Sequence, residues 1–316
     1  MKEKTKNTVL QELKVIEKAE LLEFLMAQNV RKSRNATKSL LVHKQVKVNN
    51  SIVSLHNHPL VSGDKVTIHK HDTKMDQKKL NGLTIVYEDK DLIVVDKESG
   101  LLSVSTGKEA LKETAYNIIN NYIKTKNAKA KAYILYRIDR ETSGLMVFAK
   151  SEDIQEDLQK KWILHPPKRS YQAIVEGKIV PPKGSITSWL TENKNFVMFS
   201  SPNENGGLKS TTHYKTIQAN NRYSLLRIDL ETARKNQIRV QLQSIGHPIV
   251  GDKKYGSKTS PIRRIALHAD ELSFIHPTTK EKLELKSPLP KKMQIIADSI
   301  LYKVEANPQK KEIEGQ

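Results

Sequence analysis

The spacing of apolar positions changes near residue 45. Before it, Val15, Ile16, Ala19, Leu22 and Met26 recur at helical intervals and predict a first helix. Ser33 stands where an N-cap would, ahead of Ala36, Leu40 and Leu41 on the inward face of a second helix. From Gln45 to Val48 the pattern alternates. Asn49-Asn50 is a hairpin turn signal, and Ile52-Val53 resumes the alternation. Gly63-Asp64 is a further turn, followed by Val66 and Ile68 on alternate positions. Two helices and then short strands predict a compact α+β unit over residues 1–72.

Lysine-rich polar sequence then predicts a linker at 73–82, and a larger domain at 83–304. Ile85-Val86-Tyr87 and Leu92 to Val95 flank a turn and read as a hairpin ending at Gly100. Tyr116 to Lys124 reads as a helix, Leu145 to Ala149 as a buried strand, and Ser151 as the cap of a helix reaching Trp162. Tyr171 to Val175, Ser210 to Thr216 and Tyr223 to Leu230 read as strands. Lys235 to Ile245 is predicted as a helix with Ile238, Leu242 and Ile245 inward and Gly246 as its stop. Strands outnumber helices and rarely alternate with them. The expected class is therefore α+β with a mainly antiparallel sheet. Residues 305–316 read as a disordered tail.

Charge narrows the function. Fifty-four lysines and arginines against 35 acids leave a formal net charge of +19 in 316 residues. Self-repulsion on that scale calls for an anionic partner: nucleic acid first, an anionic membrane surface second. The longest apolar runs are five residues, such as Leu145 to Ala149, far short of the about 20 that a bilayer helix needs. No membrane partner is expected. Met1 to Gln11 is lysine-rich with no apolar stretch behind it, so no secretory signal is expected. The absence of cysteine removes disulfides, thiolate metal sites and cysteine nucleophiles, and fits a cytoplasmic setting. Six basic residues, Arg31, Lys32, Arg34, Lys38, Lys44 and Lys47, surround the second helix and first strand. The helix N-terminus near Ser33 offers backbone N–H groups to a phosphate as well. The plainer alternative is a solvated basic face.

Two constellations could carry chemistry. In Tyr136-Arg137-Ile138-Asp139-Arg140-Glu141-Thr142-Ser143-Gly144, a carboxylate sits between two arginines in a polar loop. Nearby cations favour the ionised form, so Asp139 is expected to stay a carboxylate and could be a nucleophile. A surface turn with local ion pairs and a two-carboxylate glycosidase are the competing readings. The second constellation is histidine. His43, His56, His58, His69 and His71 crowd the first unit, and their His-x-His pairs could suggest a metal. No carboxylate cluster is interleaved as a catalytic centre would need, so no metal is expected, and a metal-dependent RNA hydrolase is the minor reading.

The nine-residue segment resembles the catalytic signature of the RluA-type pseudouridine synthases, His-Arg-Leu-Asp-Arg-x-Thr-Ser-Gly. Further segments agree in order. Arg169-Ser170-Tyr171-Gln172-Ala173 matches Lys/Arg-x-Tyr-x-Ala, and Thr232 to Val240 resembles Thr-Gly-Arg-Thr-His-Gln-Ile-Arg-Val. Gly246-His247-Pro248-Ile249-Val250-Gly251-Asp252, Tyr255-Gly256 and Leu267-His268-Ala269 continue the pattern, so the resemblance runs from Leu83 to Leu289. Residues 13–70 resemble the alpha-L RNA-binding motif of the ribosomal protein S-four type, with Asn50 where glycine is usual.

The resemblance implies Asp139 as the catalytic carboxylate, Tyr171 stacked on the target uracil, and Arg239 paired with Asp139. It implies Arg137 near the vacated position in the RNA and Ile238 on the pocket floor, with Arg140 as a further substrate-binding candidate. Tyr136, Ile138, Ala233, Lys235, Asn236 and Gln241 depart from the family pattern and bear on specificity rather than chemistry. The implied reaction isomerises uridine in structured RNA without cofactor, in large-subunit ribosomal RNA first and transfer RNA second. A monomer that does not bind DNA is expected. A non-catalytic RNA-binding assembly factor is the alternative from another class.

Overall fold

The computed structural model describes residues 9–42, 45–69, 78–105 and 113–301. The predicted tail, residues 73–77 of the predicted linker, Lys44, His43 and His71 lie outside the described residues. None of the described helices is long and apolar enough to cross a membrane.

The first unit comprises β1 (Val9–Lys14), β2 (Ala19–Glu20), α1 (Leu21–Ala27), α2 (Arg34–Val42), β3 (Val46–Val48), β4 (Ser51–Ile52), β5 (Pro59–Leu60) and β6 (Lys65–His69). A four-stranded sheet runs β1-β6-β3-β4, and β2 pairs with β5. Leu21, Leu25, Leu40, Leu41, Val46 and Leu60 form a core of their own. Asn49 and Asn50 both take positive φ, 48° and 71°, which matches the right-handed twist of the β3–β4 hairpin. The Ser33 hydroxyl accepts from the Ala36 N–H at 3.2 Å and caps α2.

The first helix is shorter than its periodicity predicts. Val15 is buried, but its backbone is held by the Gly63-Asp64 turn: its N–H donates to Asp64 O at 2.9 Å, and Gly63 N–H donates to its carbonyl at 2.9 Å. These bonds replace helical ones. Ile16 is 78% exposed, and helix begins only at Leu21.

The second unit comprises β7 (Lys79–Leu80), β8 (Leu83–Glu88), β9 (Leu92–Lys97), α3 (Ala115–Lys124), β10 (Tyr133–Tyr136), β11 (Ser143–Ala149), α4 (Glu152–Leu164), β12 (Lys168–Glu176), β13 (Lys183–Glu192), β14 (Met198–Ser201), β15 (Leu208–Ala219), β16 (Tyr223–Leu230), α5 (Gln237–Ser244), β17 (Leu267–Ile275), β18 (Lys282–Lys286) and α6 (Lys291–Leu301). Its twelve-stranded sheet runs β14-β13-β15-β16-β12-β17-β11-β9-β8-β7, with β10 on β11 and β18 on β17. Every pair is antiparallel except β11 with β17. The α+β, mainly antiparallel expectation holds. All seven residues of β11 are buried, as a strand covered on both faces requires. Thr114 and Ser151 cap α3 and α4 through their hydroxyls.

The β11–β17 contact fixes the loop before it. Ser143 and Gly144 pair with His268 and Ala269, while β10 occupies the far end of β11. Residues 137–142 must therefore bridge two strands at the middle of the sheet. Gly144 has φ +116°, and a Cβ there would stand 2.2 Å from Ala269 O. Only glycine permits that approach. The Ser143 hydroxyl accepts from Arg264 Nη2 at 2.7 Å and donates to His268 Nδ1 at 2.9 Å, which locks the end of the loop to β17.

Candidate active site

A cleft of about 420 Å³ opens between the 137–142 loop, β12 and the N-terminal end of α5. Its size is that of a small-ligand site. Arg137, Ile138, Asp139, Arg140, Tyr171, Ile238 and Arg239 all line it. Residues 100 positions apart in sequence thus share one wall. Among the described residues, Arg31, Lys32, Arg34, Lys38 and Lys47 of the first unit do not line this cleft.

The helix that carries Arg239 is held by amides. Asn236 takes φ +52°, a left-handed conformation that cannot continue a right-handed helix, so α5 starts at Gln237 rather than at Lys235. Gln237 Nε2 donates to Thr211 O at 3.0 Å and Thr212 Oγ1 at 2.9 Å. Gln241 Nε2 donates to Ser188 Oγ at 2.8 Å and Ser210 O at 2.9 Å, and its carbonyl accepts from Thr212 at 2.6 Å. These bonds satisfy polar groups that burial would otherwise leave costly. All of Gln237 to Leu242 is buried, whereas Ile245, expected inward, is 39% exposed.

Arg239 is the best-anchored group in the cleft. Its Nε and Nη2 donate to the two Asp252 oxygens at 2.7 and 2.8 Å, a bidentate fork with both side chains buried. Its Nη1 donates to Asn236 Oδ1 at 3.1 Å, and its guanidinium lies 4.9 Å from the Tyr255 ring centre. The expected partner, Asp139, is 4.0 Å from Nη1. The pairing with Asp139 is therefore a looser second contact. Asp252 takes the fork because it is fully buried, while a third of the Asp139 side chain remains open to the cleft. Burial works against the charge on Arg239, but Asp252 and Asp139 outweigh it and raise its pKa.

Asp139 departs from the expectation that neighbouring cations dominate. Burial raises its pKa above the usual 3.8, and Asp252 adds to the rise, against the lowering influence of Arg239, Lys97 and Arg137. The loop is tied by Thr142 N–H to Asp139 O at 3.2 Å. Beneath it lies Lys97, wholly buried, whose Nζ donates to Glu98 O, Leu101 O and Arg140 O at 2.8–3.0 Å. Burial lowers the Lys97 pKa to about 7. Arg140 points its Nε at Gly100 O, 3.1 Å away, and Arg137 is exposed. Glu141 does not line the cleft and sits 3.4 Å from Arg140. The two-carboxylate glycosidase reading therefore lacks its second carboxylate.

Tyr171 and Tyr136 are buried side by side, with their hydroxyls in hydrogen-bond contact. Burial pushes the Tyr136 pKa up to about 12 and that of Tyr171 well above its usual value. Both are neutral phenols at neutral pH. The Arg169 guanidinium lies 5.4 Å from the Tyr136 ring centre. Asp252, Lys97, Tyr136 and Arg169 carry no site role in the sequence reading. Tyr136, Arg169 and Asp252 stand within the matched segments, whereas Lys97 stands in none of them.

Among the described residues, one group of metal-ligand types converges, Asp89, Asp91 and His276. Asp89 already accepts from Asp91 N, Leu92 N, Tyr87 Oη and His276 Nε2 at 2.7–2.8 Å. His276 Nδ1 accepts from Thr278 and Thr279 N–H. The lone pairs of Asp89 and His276 are thus spent on the turn, while Asp91 Oδ2 is buried without a hydrogen-bond partner.

The family model for RNA pseudouridylate synthase matches residues 91–244. The Bacillus subtilis protein named uncharacterized RNA pseudouridine synthase YhcT is 32% identical, over 83% of this chain and 87% of its own length. The ribosomal large subunit pseudouridine synthase D of Buchnera aphidicola from Acyrthosiphon pisum is 33% identical, over 83% and 88%.

The chain belongs to the RNA pseudouridine synthase family.

It is an isomerase that converts uridine in RNA to pseudouridine. The fold agrees with that of human RNA pseudouridylate synthase domain containing 4, with a TM-score of 0.56, 23% identity, and coverage of 66% of this chain and 90% of that one.

The Arg239–Asp252 fork makes a prediction about stability. Asp252→Asn leaves a buried guanidinium without its counter-charge and should lower stability by about 3 kcal/mol in urea unfolding. A loss below about 1 kcal/mol, the range of an exposed pair, would contradict the burial described here.

Proposed function

We propose that this synthase modifies a uridine of large-subunit ribosomal RNA, with Asp139 acting on the ribose. The observation that carries the assignment is the partly open Asp139 carboxylate on the cleft wall, 4.0 Å from a guanidinium that Asp252 holds in place. In the reaction the bond between ribose C1′ and uracil N1 breaks, the uracil turns, and C1′ bonds to C5. C5 gives up its proton to solvent and N1 takes one, so product and substrate are isomers. Arg239, Lys97 and Arg137 oppose the effect of burial and favour the anionic form of Asp139. Tyr171 stacks on the everted uracil, and its neutral phenol, bonded to Tyr136, keeps a negative charge away from the base. Ile238 closes the floor, and Arg137 and Arg140 contact RNA at the mouth.

The ribosomal target is supported by the relatives named as large-subunit synthases at about a third identity. The first unit serves as an alpha-L-type RNA clamp, supported by the sequence resemblance over 13–70. Its phosphate contacts offset the cost of everting a paired base. Two arginines of the proposed footprint also face acids. Arg31 pairs with Glu281 of the second unit at 3.1 Å, and Arg34 with Glu23 at 2.9 Å. Pairs this open to water are weak, so both arginines stay with Lys32, Lys38, Lys44 and Lys47 as the proposed phosphate contacts.

Two experiments test this reading. Asp139→Asn should abolish tritium release from RNA labelled at uridine C5 while RNA binding survives. Retained turnover would reject the role of Asp139. Lys32→Ala and Lys38→Ala should each weaken binding and reduce the salt slope by about one. Unchanged slopes in both would reject the footprint.

A further inference from the structure

The β13–β14 hairpin carries Phe196 at its tip and Phe199 on its second strand, two of the five phenylalanines in the chain. Phe24, Phe148 and Phe274 are buried, yet Phe196 is 70% exposed and Phe199 52% exposed. Phe196 also takes φ +58°, a conformation that bulky side chains rarely adopt. The turn is rigid. Asn193 Oδ1 accepts from Asn195 and Val197 N–H at 2.9 and 3.0 Å, and Phe196 N–H donates to Asn193 O at 3.0 Å. The next two residues anchor it, since Val197 and Met198 pack on Val240 and Tyr255, beside the helix that carries Arg239. The fold thus drives the neighbours inward and leaves the ring outside.

Its surroundings say what the ring meets. Lys235, which lines the cleft and pairs with Glu192, places its ammonium 5.4 Å from the Phe196 ring centre. Lys254 donates to the Phe196 carbonyl at 3.2 Å, and Lys194 is exposed beside it. An aromatic face among three lysines at the rim of an RNA cleft suits a base on a phosphate backbone. Such pairing of rings with cations is the general recipe for holding an unpaired strand. An apolar protein surface would instead strip water from the ammonium groups without neutralising them.

We propose that Phe196 stacks on an unpaired base next to the nucleotide held in the cleft. The proposal rests on the cleft being an RNA site, as argued above, and extends it to the flanking strand. The hairpin would hold that strand while the neighbouring uridine is everted.

The test is fluorescence anisotropy with a fluorescein-tagged oligouridylate of about a dozen nucleotides, comparing the full chain with Phe196 variants. Phe196→Ala should bind about tenfold more weakly, Phe196→Leu equally weakly, and Phe196→Trp close to the unchanged chain. The salt slope should be the same in all, because no phosphate contact is removed. Unchanged affinity in Phe196→Ala, full affinity in Phe196→Leu, or no binding of the oligomer by the unchanged chain would each overturn the proposal. Tritium release by the unchanged chain, on C5-labelled RNA from cells lacking it, is read in parallel. A silent enzyme with a ring-dependent affinity would sink the reaction reading alone. An active enzyme with a ring-independent affinity would sink this inference alone.

Discussion

The buried fork between Arg239 and Asp252 is the interaction on which the rest of the site depends. A guanidinium out of water is tolerable only with its charge matched and its donors directed. Asp252 does both with two bonds of 2.7 and 2.8 Å, and Asn236 takes a further donor. The remaining edge of the guanidinium faces Asp139 at 4.0 Å. One anchored cation therefore fixes where the negative charge of the loop rests. Had Asp139 taken the fork itself, its oxygens would be committed to Arg239 and less available to a ribose.

The loop is held as firmly as the helix, from the opposite side. Lys97 gathers three backbone carbonyls under it, and the Arg264–Ser143–His268 chain binds its end to β17. Both supports lie at the single parallel junction of the sheet. The result is an electrostatic balance. Burial and Asp252 raise the Asp139 pKa, while Arg239, Lys97 and Arg137 lower it. Such opposed influences are what preorganised sites use to place a charge before substrate arrives.

Much of this was legible where chemistry is local. Asp139, Thr142, Ser143 and Gly144 lie within six positions, and each acts through the turn or the adjoining strand. The hairpin at Asn49-Asn50 and the caps at Ser33 and Ser151 depend on neighbours in sequence, and were readable for the same reason. What escaped depends on distant partners. The pairing of Asp252 with Arg239 needs the loop after α5 to fold back, which no spacing reveals. Lys97 ends an apolar strand and looks like a surface residue until carbonyls from three other positions close over it. Val15 mimicked a helical position because a turn 48 residues later buries it, as its bond to Gly63 shows. The raised pKa of Asp139 was misjudged because flanking arginines are visible in sequence and desolvation is not.

The most direct measurement is the pH dependence of single-turnover tritium release by the unchanged chain and by Arg239→Gln. With Asp139 acting as the anion, the rate should fall on acidification through an apparent pKa above 3.8. Loss of the nearby cation disfavours the anion, so the acid limb of Arg239→Gln should lie at higher pH, at a lower rate. Superimposable acid limbs in the two proteins would show that Arg239 does not govern the charge on Asp139.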